Sequence, residues 1–449
     1  MDRFAIPAGM GVRMRQTDVL IIGGGAAGLT AAIAASEGGA SVTVLEHMDR
    51  TGKKLLSTGN GRCNYTNAVM SANCFRGSGL ALAEDLLREY DTASTVDFFA
   101  RLGIEPSERN GYFYPASGQA ASVAEALRLK CAEQNVFVVC GAEIRELQHI
   151  REAGPDGKKE SRFSVWYRKD GKSGQICSRT LILAAGSKAA PVTGSDGSGY
   201  GMAKQFGHRI VEVYPALTCL KTEGKFRKDW TGVRVRGSVS LYIQGKKAAF
   251  DEGELQLTDY GVSGIPVFQV SRYAAQALAE NRLTEVSLCF WPERFRKNPV
   301  QCLAERLECL QQRTLEQALI GLLPAKLIPI VIRAAGLAPK ESCQLRKEQL
   351  CALAEAGADF RLRVTGTGTF EQAQVCAGGV DGAEICPQTM ESRCCSGLYL
   401  AGELIDVDGI CGGYNLHFAW ASGRRAGENA AKKAGKSNSL QVSGKRRKV

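Results

Sequence analysis

Several features are scarce or missing in this chain of 449 residues, and each absence narrows what the protein can be. Prolines number only 13 against 51 glycines, a balance that fits a backbone that turns tightly or approaches a ligand closely. None of the 16 cysteines forms a C-x-x-C pair, which argues against a zinc ribbon or a thioredoxin-type motif. No secretory signal pattern is recognisable, so we expect reduced thiols and a cytoplasmic location.

Composition and charge indicate an ordinary globular protein that carries more positive than negative charges. Hydrophobic residues make up 44% of the chain and charged residues 23%, and the length favours two or three domains. Residues 19–36 carry no charge, but their four glycines argue against a membrane span. The net charge of +11 lies partly in residues 436–449, which we predict to be a basic, disordered tail.

Near the N-terminus, TDVLIIGGGAAGLTAAIAASEGGASVTVLEH predicts a strand, a glycine turn, a helix and a second strand. The turn matches G-x-G-x-x-G, in which the first glycine permits the turn, the second lets a pyrophosphate approach and the third lets the helix pack. Glu46 follows at close to the spacing of about 20 residues expected for a ribose-binding carboxylate, which favours FAD or NAD over NADP. The predicted cofactor-binding residues here are Gly23, Gly25, Ala26, Ala27, Gly28, Glu46 and His47.

The next stretch, GKKLLSTGNGRCNYTN at residues 52–67, is too polar and glycine-rich to be core and has no apolar period of a regular helix or strand. We interpret it as a loop whose backbone and polar side chains follow the pyrophosphate and ribityl chain of the cofactor. Cys63 has no second cysteine at short spacing, so a redox role is not favoured. The predicted cofactor-binding residues in this loop are Lys54, Asn60, Gly61, Arg62, Cys63 and Asn64.

A second glycine-rich element lies near the C-terminus, where GLYLAGELIDVDGICGGYNLHFAWASG predicts a strand, a loop and a final helix. Two such elements suggest FAD, because its adenosine end and its flavin ring need separate surfaces. A helix that begins near Gly413 would direct its positive N-terminus at the flavin. We expect Asp406 to accept hydrogen bonds from the ribityl or pyrophosphate side, and Glu403 to be structural or at the substrate mouth. The predicted cofactor-binding residues are Gly402, Glu403, Asp406, Gly412, Gly413, Tyr414 and Asn415.

The remaining sequence predicts the organisation of the domains. A helix is expected over 81–102, strands over 136–139, 162–169 and 180–187, and cofactor contacts at Ile144, Ala185 and Gly186. Residues 209–290 alternate as antiparallel strands do, and residues 297–337 have a helical period. We therefore predict an α/β fold, a Rossmann-type FAD-binding domain with an inserted antiparallel β-domain and a helical subdomain. The expected boundaries are 1–192 and 371–435 for the FAD-binding domain, 193–296 and 346–370 for the β-domain, and 297–345 for the helical subdomain.

Four long motifs carry a resemblance to a known family: GKKLLSTGNGRCNYTN, GELQLTDYGVSGIPVFQVS, AGGVDGAEICPQTMESR and the C-terminal element above. They resemble the bacterial NAD(P)/FAD-dependent oxidoreductase family that includes 3-dehydro-bile-acid Δ4,6-reductase and proteins labelled aminoacetone oxidase. The resemblance covers nearly the whole chain and implies the same fold and FAD. The sequence departs from the family pattern at Tyr260 and His417.

The function that the resemblance implies is oxidoreduction with FAD, with NAD(P)H as the electron donor. Our leading expectation is reduction of a C=C bond conjugated to a ketone in a steroid-like or bile-acid-like molecule, an apolar substrate with a carboxylate. Tyr260, Tyr414 and His417 are the candidate acids, whereas His208 is interpreted as an exposed loop residue. We expect neither a metal ion nor a nucleic-acid partner. The alternatives are an oxidase of a small amine such as aminoacetone and a nucleic-acid-associated flavoprotein.

The purified protein is expected to carry FAD rather than FMN, because the first β-α-β unit ends in Glu46 and so has an adenosine-type site. Heat release of the cofactor followed by chromatography identifies it. The variant Glu46→Ala should bind FAD more weakly, by about 1.5–3 kcal/mol for each charge-assisted hydrogen bond that is lost. Recovery of FMN, or of no flavin after reconstitution, would contradict the prediction.

Overall fold

A computed structural model of the chain describes residues 13–153, 159–224, 226–340 and 342–445. These residues fold as two compact units, one from described residues within 1–213 and 377–449 and the other from described residues within 214–376. The second unit is therefore inserted into the first along the chain. The finer boundaries expected from the sequence stay a prediction.

The regular elements are numbered along the chain. The strands are β1 Arg13–Ile22, β2 Val42–Glu46, β3 Thr66–Asn67, β4 Phe75–Arg76, β5 Pro106–Arg109, β6 Tyr112–Pro115, β7 Phe137–Cys140, β8 Glu143–Ala153, β9 Lys159–Lys169, β10 Lys172–Leu183, β11 Ile210–Ala216, β12 Leu220–Thr222, β13 Val233–Ile243, β14 Lys246–Leu257, β15 Gly261–Ser263, β16 Thr284–Cys289, β17 Phe360–Thr367, β18 Val375–Val380, β19 Leu398–Leu400 and β20 Asp408–Gly409. The helices are α1 Ala26–Glu37, α2 Leu80–Glu89, α3 Thr92–Arg101, α4 Ala120–Glu133, α5 Ser198–Gln205, α6 Arg227–Trp230, α7 Ile265–Ala279, α8 Glu293–Lys297, α9 Pro299–Glu308, α10 Leu315–Leu319, α11 Ile328–Ala334, α12 Lys347–Ala358 and α13 Tyr414–Lys445.

The central sheet of the first unit has the strand order β7-β2-β1-β10-β9-β8, and β19 also pairs with β10. The pairs β7–β2, β2–β1, β1–β10 and β10–β19 are parallel. Strand β2 is buried along its whole length, and this explains its nearly continuous apolar sequence. In the register of the sheet, Ile22 pairs with Leu45 and with Leu183, and Leu183 pairs with Leu400. The residues that follow these strands therefore share one edge of the sheet.

Helices α1 and α13 of this unit pack backbone against backbone. A Cβ atom on Gly423 would overlap the carbonyl oxygen of Ala27, and one on Gly427 would overlap that of Ala31. Further along, a Cβ on Gly38 would lie 2.9 Å from the Ala431 Cβ. The contacts advance in the same direction on both helices, so α1 and α13 are parallel and close to each other only because these positions lack side chains.

The single helix predicted over 81–102 is wrong, because the chain forms α2 and α3 with a break between them. Tyr90 ends α2 and is buried, and Asp91 has extended backbone torsions before α3 begins. The Asp91 side chain accepts a hydrogen bond of 2.7 Å from the Ser94 backbone nitrogen. This is the usual capping arrangement at a helix N-terminus. The helical spacing of the apolar residues was identified correctly, but the helix cap at Asp91 within this stretch was missed.

The second unit contains a closed antiparallel barrel with the strand order β12-β15-β14-β13-β16-β17, in which β17 pairs back to β12. The longest pairing is the hairpin β13–β14, whose turn residues Gln244 and Gly245 both have positive φ, as a two-residue hairpin turn requires. Helices α7 to α12 belong to the same unit. The prediction of a Rossmann-type α/β domain with an inserted antiparallel β-domain and helical part is confirmed.

The C-terminal tail and the lack of a membrane span were two further predictions from the sequence. The basic tail predicted for residues 436–449 overlaps the end of α13, which runs to Lys445, and residues 446–449 lie outside the described residues. In the described part of the chain, no helix combines the length and the apolar character that a membrane crossing needs.

Candidate cofactor site

The sheet edge where β1, β2, β10 and β19 end carries many of the predicted cofactor residues. Gly23 follows β1 with a φ of +103° and donates a hydrogen bond of 2.8 Å to the Leu45 carbonyl. A Cβ on Gly23 would overlap the Ala184 carbonyl oxygen directly after β10. The small residues Ala185 and Gly186 follow on that strand. Edges of this kind are where open α/β sheets bind their ligands.

The N-terminus of α1 faces open space. A Cβ on Gly25 would meet no atom within 4 Å, and no side chain caps the first turn of the helix. By contrast, a Cβ on Gly28 would overlap the Gly23 carbonyl oxygen. The backbone N–H groups at Ala26 and Ala27 thus begin a helix whose positive end has room for an anion. This geometry fits the pyrophosphate of FAD, with Gly25 as the point of closest approach.

Glu46 lies at the carboxyl end of β2 and is 8% exposed. Its two carboxylate oxygens accept hydrogen bonds from the backbone nitrogens of Gly24 (2.7 Å) and Met48 (2.8 Å). His47 is next to it, with Nδ1 3.5 Å from Glu46 Oε1. A carboxylate oxygen can accept more than one hydrogen bond. Glu46 can therefore accept a further hydrogen bond from a ribose hydroxyl while it keeps its bonds to the backbone.

The C-terminal glycine loop lies against the first turn of α1. Gly402 has a φ of +73°, and a Cβ there would lie 2.8 Å from the Ala27 Cβ. The Gly402 nitrogen donates to Ser422 Oγ on α13 at 3.0 Å. Sequence reasoning missed Ser422. A signal for it exists in the small residues Gly423 and Gly427, which are spaced one helical turn apart and predict a close helix contact.

Lys54 and Glu403 form an ion pair of 2.6 Å that joins the two glycine-rich regions. Ser187 Oγ donates a second hydrogen bond to the same Glu403 oxygen, at 3.2 Å. The sequence predicted Lys54 as a free charge for the cofactor, and the structure instead gives its ammonium a carboxylate partner. Glu403 therefore has the structural role that was one of its two expected roles.

The prediction that residues 52–67 stay outside the core is wrong for the second half of the segment. A 3₁₀ turn occupies Lys54–Ser57, whereas Cys63 and Tyr65 are fully buried. Asn60 and Arg62 remain exposed, and Gly61 holds α4 by accepting a bond of 2.7 Å from the Ala120 nitrogen. Burial raises the pKa of the Cys63 thiol to about 12, so it stays protonated and is unsuited to redox chemistry.

Asn64 and Gly413 contact each other rather than an open ligand surface. With its amide turned so that the oxygen and the nitrogen both have partners, Asn64 donates to the carbonyl oxygens of Thr66 (2.9 Å) and Phe113 (3.1 Å) and accepts from the Gly413 nitrogen (3.2 Å). A Cβ on Gly413 would lie 2.8 Å from the Thr66 oxygen. The expectation that this glycine exposes its N–H to the flavin is therefore wrong, because Asn64 occupies it. Gly413 is required by the close approach of α13 to β3.

Asp406 and Asn415 also act within the protein, which corrects their predicted role as cofactor ligands. The Asp406 carboxylate is 3% exposed and accepts from the backbone nitrogens of Ser78 (2.8 Å) and Gly378 (3.0 Å). Asn415 pairs through both amide atoms with the backbone of Gly409, at 2.8 Å each. These bonds fix the shape of the loop that joins β19 to α13.

His417 is excluded as a catalytic acid. It is fully buried, with Nδ1 2.8 Å from Thr66 Oγ1 and Nε2 2.8 Å from the Tyr90 carbonyl oxygen. Burial lowers its pKa to about 4, so the ring is neutral near pH 7 and both nitrogens are bonded within the protein. The prediction of His417 as an acid is wrong, and its role is structural. His208, predicted to be exposed, is instead buried at 4% exposure.

The two tyrosine candidates differ in accessibility. Tyr414 is 6% exposed, and its pKa is raised by burial and by the neighbouring Cys74. Tyr260 belongs to the second unit and is 36% exposed, with a pKa raised by partial burial and by Cys219. Both phenols stay protonated at neutral pH. Of the two tyrosines, Tyr260 is the one whose protonated side chain is also exposed.

The parallel packing of α1 and α13 also fixes the distance between their N-termini along the helix axis. Gly423 lies opposite Ala27, whereas α13 begins at Tyr414, which is about 14 Å further out along the axis at about 1.5 Å per residue. The two helix N-termini are therefore staggered along one direction. The fold and this edge define a flavin-binding oxidoreductase of the Rossmann class.

Comparison with known proteins agrees with that class. Residues 17–429 match the HI0933-like protein Rossmann domain, and the chain belongs to this family. It is 41% identical over 416 residues to the 3-dehydro-bile acid Δ(4,6)-reductase of Clostridium scindens, covering 92% of this chain and 98% of that one. It is 27% identical over 406 residues to the ribosomal RNA dihydrouridine synthase of Haemophilus influenzae, covering 90% and 96%.

A solved structure shares the fold at low sequence identity. The 3-ketosteroid Δ1-dehydrogenase from Sterolibacterium denitrificans superposes with a TM-score of 0.51 at 15% identity, covering 93% of this chain and 100% of that one. At such an identity the likeness shows the fold alone.

Arg62 and Asn64 are predicted to fail in different ways when truncated. Arg62 is exposed, and none of the described residues forms an ion pair or side-chain hydrogen bond with it, so Arg62→Ala should lose flavin on dialysis without a change in melting temperature. Asn64→Ala should lower the melting temperature, because buried groups that lose a hydrogen-bond partner cost about 1–3 kcal/mol each. Flavin absorbance and thermal unfolding of each variant provide the two measurements.

The exposed Arg109 offers a matched control. The variant Arg109→Ala should leave both readings unchanged. If Arg62→Ala retains its flavin as firmly as Arg109→Ala, the loop at residues 52–67 does not hold the cofactor through this side chain.

Proposed function

We propose that the protein is an FAD-dependent reductase of a C=C bond conjugated to a carbonyl group, with a steroid-like 3-oxo acid as substrate and NAD(P)H as electron donor. The observation that carries the proposal is the 41% identity, over 92% of this chain, to a reductase whose name specifies the Δ4,6 bonds of a 3-dehydro-bile acid. An alignment that covers 92% of the chain spans the whole second unit.

The first unit would hold the cofactor through its own backbone and two side chains. The uncapped N-terminus of α1 would bind the pyrophosphate, with Gly25 leaving room for it, and Glu46 would accept from the adenosine ribose. The guanidinium of Arg62 would add a positive charge at the exposed turn of the loop. Bound FAD would supply the hydride to the β-carbon of the substrate.

The chain must then supply a proton, because addition of hydride to an enone leaves negative charge on the carbonyl oxygen and the α-carbon. A positioned acid contributes roughly 10²- to 10⁴-fold to such a step. Tyr260 is the favoured donor, because its phenol stays protonated and is partly exposed. Tyr414 is nearly enclosed next to Cys74, and His417 has no free nitrogen.

A second candidate function has its own observation. Two relatives, 27% and 26% identical over at least 90% of this chain, are named ribosomal RNA dihydrouridine synthases. A dihydrouridine also differs from its parent base by saturation of a C=C bond next to a carbonyl, so the two names describe related chemistry on different substrates. The net charge of +11 is compatible with RNA. The lower identity makes this the weaker candidate.

Anaerobic stopped-flow spectroscopy tests the proposal and separates the candidates. NADH or NADPH should bleach the flavin, and a 3-oxo-Δ4 steroid acid should restore its colour far faster than air does. The saturated 3-oxo acid is the matched control and should restore nothing. Tyr260→Phe should slow reoxidation by the enone by about 100-fold or more while leaving reduction by the nicotinamide unchanged.

Other outcomes assign other functions. Fast reoxidation by ribosomal RNA fragments that contain uridine, but not by the enone, would replace the steroid substrate with RNA. Bleaching by aminoacetone followed by fast reoxidation in air would identify an amine oxidase and contradict the proposal.

A further inference from the structure

A group of metal-ligating side chains lies in the first unit at residues that the cofactor site does not use. His208 follows α5, Glu384 ends a 3₁₀ turn at Gly382–Glu384, and Cys394 lies in the loop before β19. One potential ligand atom from each residue lies within 4.8 Å of the other two. Two regions of the chain, one at residue 208 and the other at residues 384–394, thus bring an imidazole, a carboxylate and a thiol together.

We propose that His208, Glu384 and Cys394 bind one zinc ion. Imidazole nitrogen, carboxylate oxygen and thiolate sulfur are the ligand types that Zn²⁺ takes in proteins, at distances of about 2.0–2.3 Å from the metal. Ligand atoms around a tetrahedral zinc are then about 3–4 Å apart, and a spread within 4.8 Å needs only a small closure. The fourth position is left to water.

The surrounding hydrogen bonds hold the ligands in place. His208 Nε2 lies 2.8 Å from Ser392 Oγ, and its Nδ1 faces Glu384 Oε2 at 3.0 Å. Glu384 Oε2 also accepts from the Arg209 backbone nitrogen at 2.9 Å. A hydrogen bond on the second ring nitrogen is the usual support of a metal-binding histidine, since it fixes the ring orientation.

Ser392 also connects the histidine to the thiol. Its hydroxyl oxygen accepts from the backbone nitrogens of Cys394 and Cys395, both at 3.0 Å, which fixes the turn that presents the Cys394 side chain. Metal binding at His208 Nδ1 would shift the ring proton to Nε2, where it faces Ser392 Oγ, and the thiol proton of Cys394 would pass to solvent.

The site is open to solvent on one side. Cys394 is exposed, and with Cys395 it lines a cavity of about 440 Å³ that also contains His149 and Gln205. Of the three proposed ligands, Cys394 is the one that lines this cavity. The neighbouring side chains of Cys395 and His149 have their Sγ and Nδ1 atoms 3.4 Å apart and provide two potential ligands. This pair is therefore a suitable control for the three-ligand site.

The zinc content of the flavin-loaded protein tests the proposal. After dialysis against Zn²⁺ and gel filtration, atomic emission should find about one zinc per chain. Cys394→Ser and Glu384→Gln should each reduce this to background, with the flavin content unchanged. Cys309→Ser removes another exposed thiol and should bind zinc as the wild type does, and so should His149→Gln.

The rate of thiol alkylation provides a second test of the proposal, and this test uses the wild-type protein. Zn²⁺ should slow the reaction of Cys394 with iodoacetamide by about tenfold or more, because a metal-bound thiolate is no longer free to react. The exposed thiols of Cys309 and Cys351 should react at an unchanged rate. Absence of bound zinc in the wild type, or retention of zinc by Cys394→Ser, would overturn the proposal. Loss of zinc in His149→Gln with retention in Glu384→Gln would also overturn it.

Discussion

The close contact between α1 and α13 is the constraint on which the cofactor site depends. Residues nearly four hundred positions apart in the chain meet backbone to backbone, because Gly423 and Gly427 leave no side chain between the helices. The same contact brings Gly402 against Ala27 and holds it there through Ser422. A side chain at any of these glycines would separate the two helices and, with them, the two glycine-rich regions that the site needs.

The polar residues around the site divide into those that shape loops and those that remain free for a ligand. Asp406, Asn415 and Asn64 are buried or half-buried, and their hydrogen-bonding atoms are used by backbone groups. This is expected on physical grounds, since a glycine-rich loop has few side chains of its own and its backbone amides need partners. What remains for the cofactor is chiefly backbone at the N-terminus of α1, the carboxylate of Glu46 and the exposed Arg62.

Much of the fold could be predicted from local sequence, and much of the site could not. The strand-turn-helix-strand of the N-terminus has a short-range signal in its glycines and its buried strands, and the alternation in residues 209–290 indicated antiparallel pairing. The carboxylate partner of Lys54 and one of the two backbone partners of Asp406 lie more than 300 positions away, so no local pattern could tell a ligand-binding side chain from one that holds a loop. His417 shows the same limit, because its two hydrogen-bond partners come from β3 and from the residue after α2.

If the open space before α1 binds the pyrophosphate of FAD, a side chain at Gly25 should weaken FAD binding, and FAD titration of apoprotein carrying Gly25→Ala measures this directly. Gly25 has extended torsions that alanine tolerates, and its Cβ would meet no protein atom. The account predicts an unchanged melting temperature and an FAD affinity lowered about tenfold or more, or about 1.4 kcal/mol. Gly28→Ala, whose Cβ would overlap the Gly23 oxygen, should lose stability instead. Wild-type affinity in a folded Gly25→Ala protein would contradict the account.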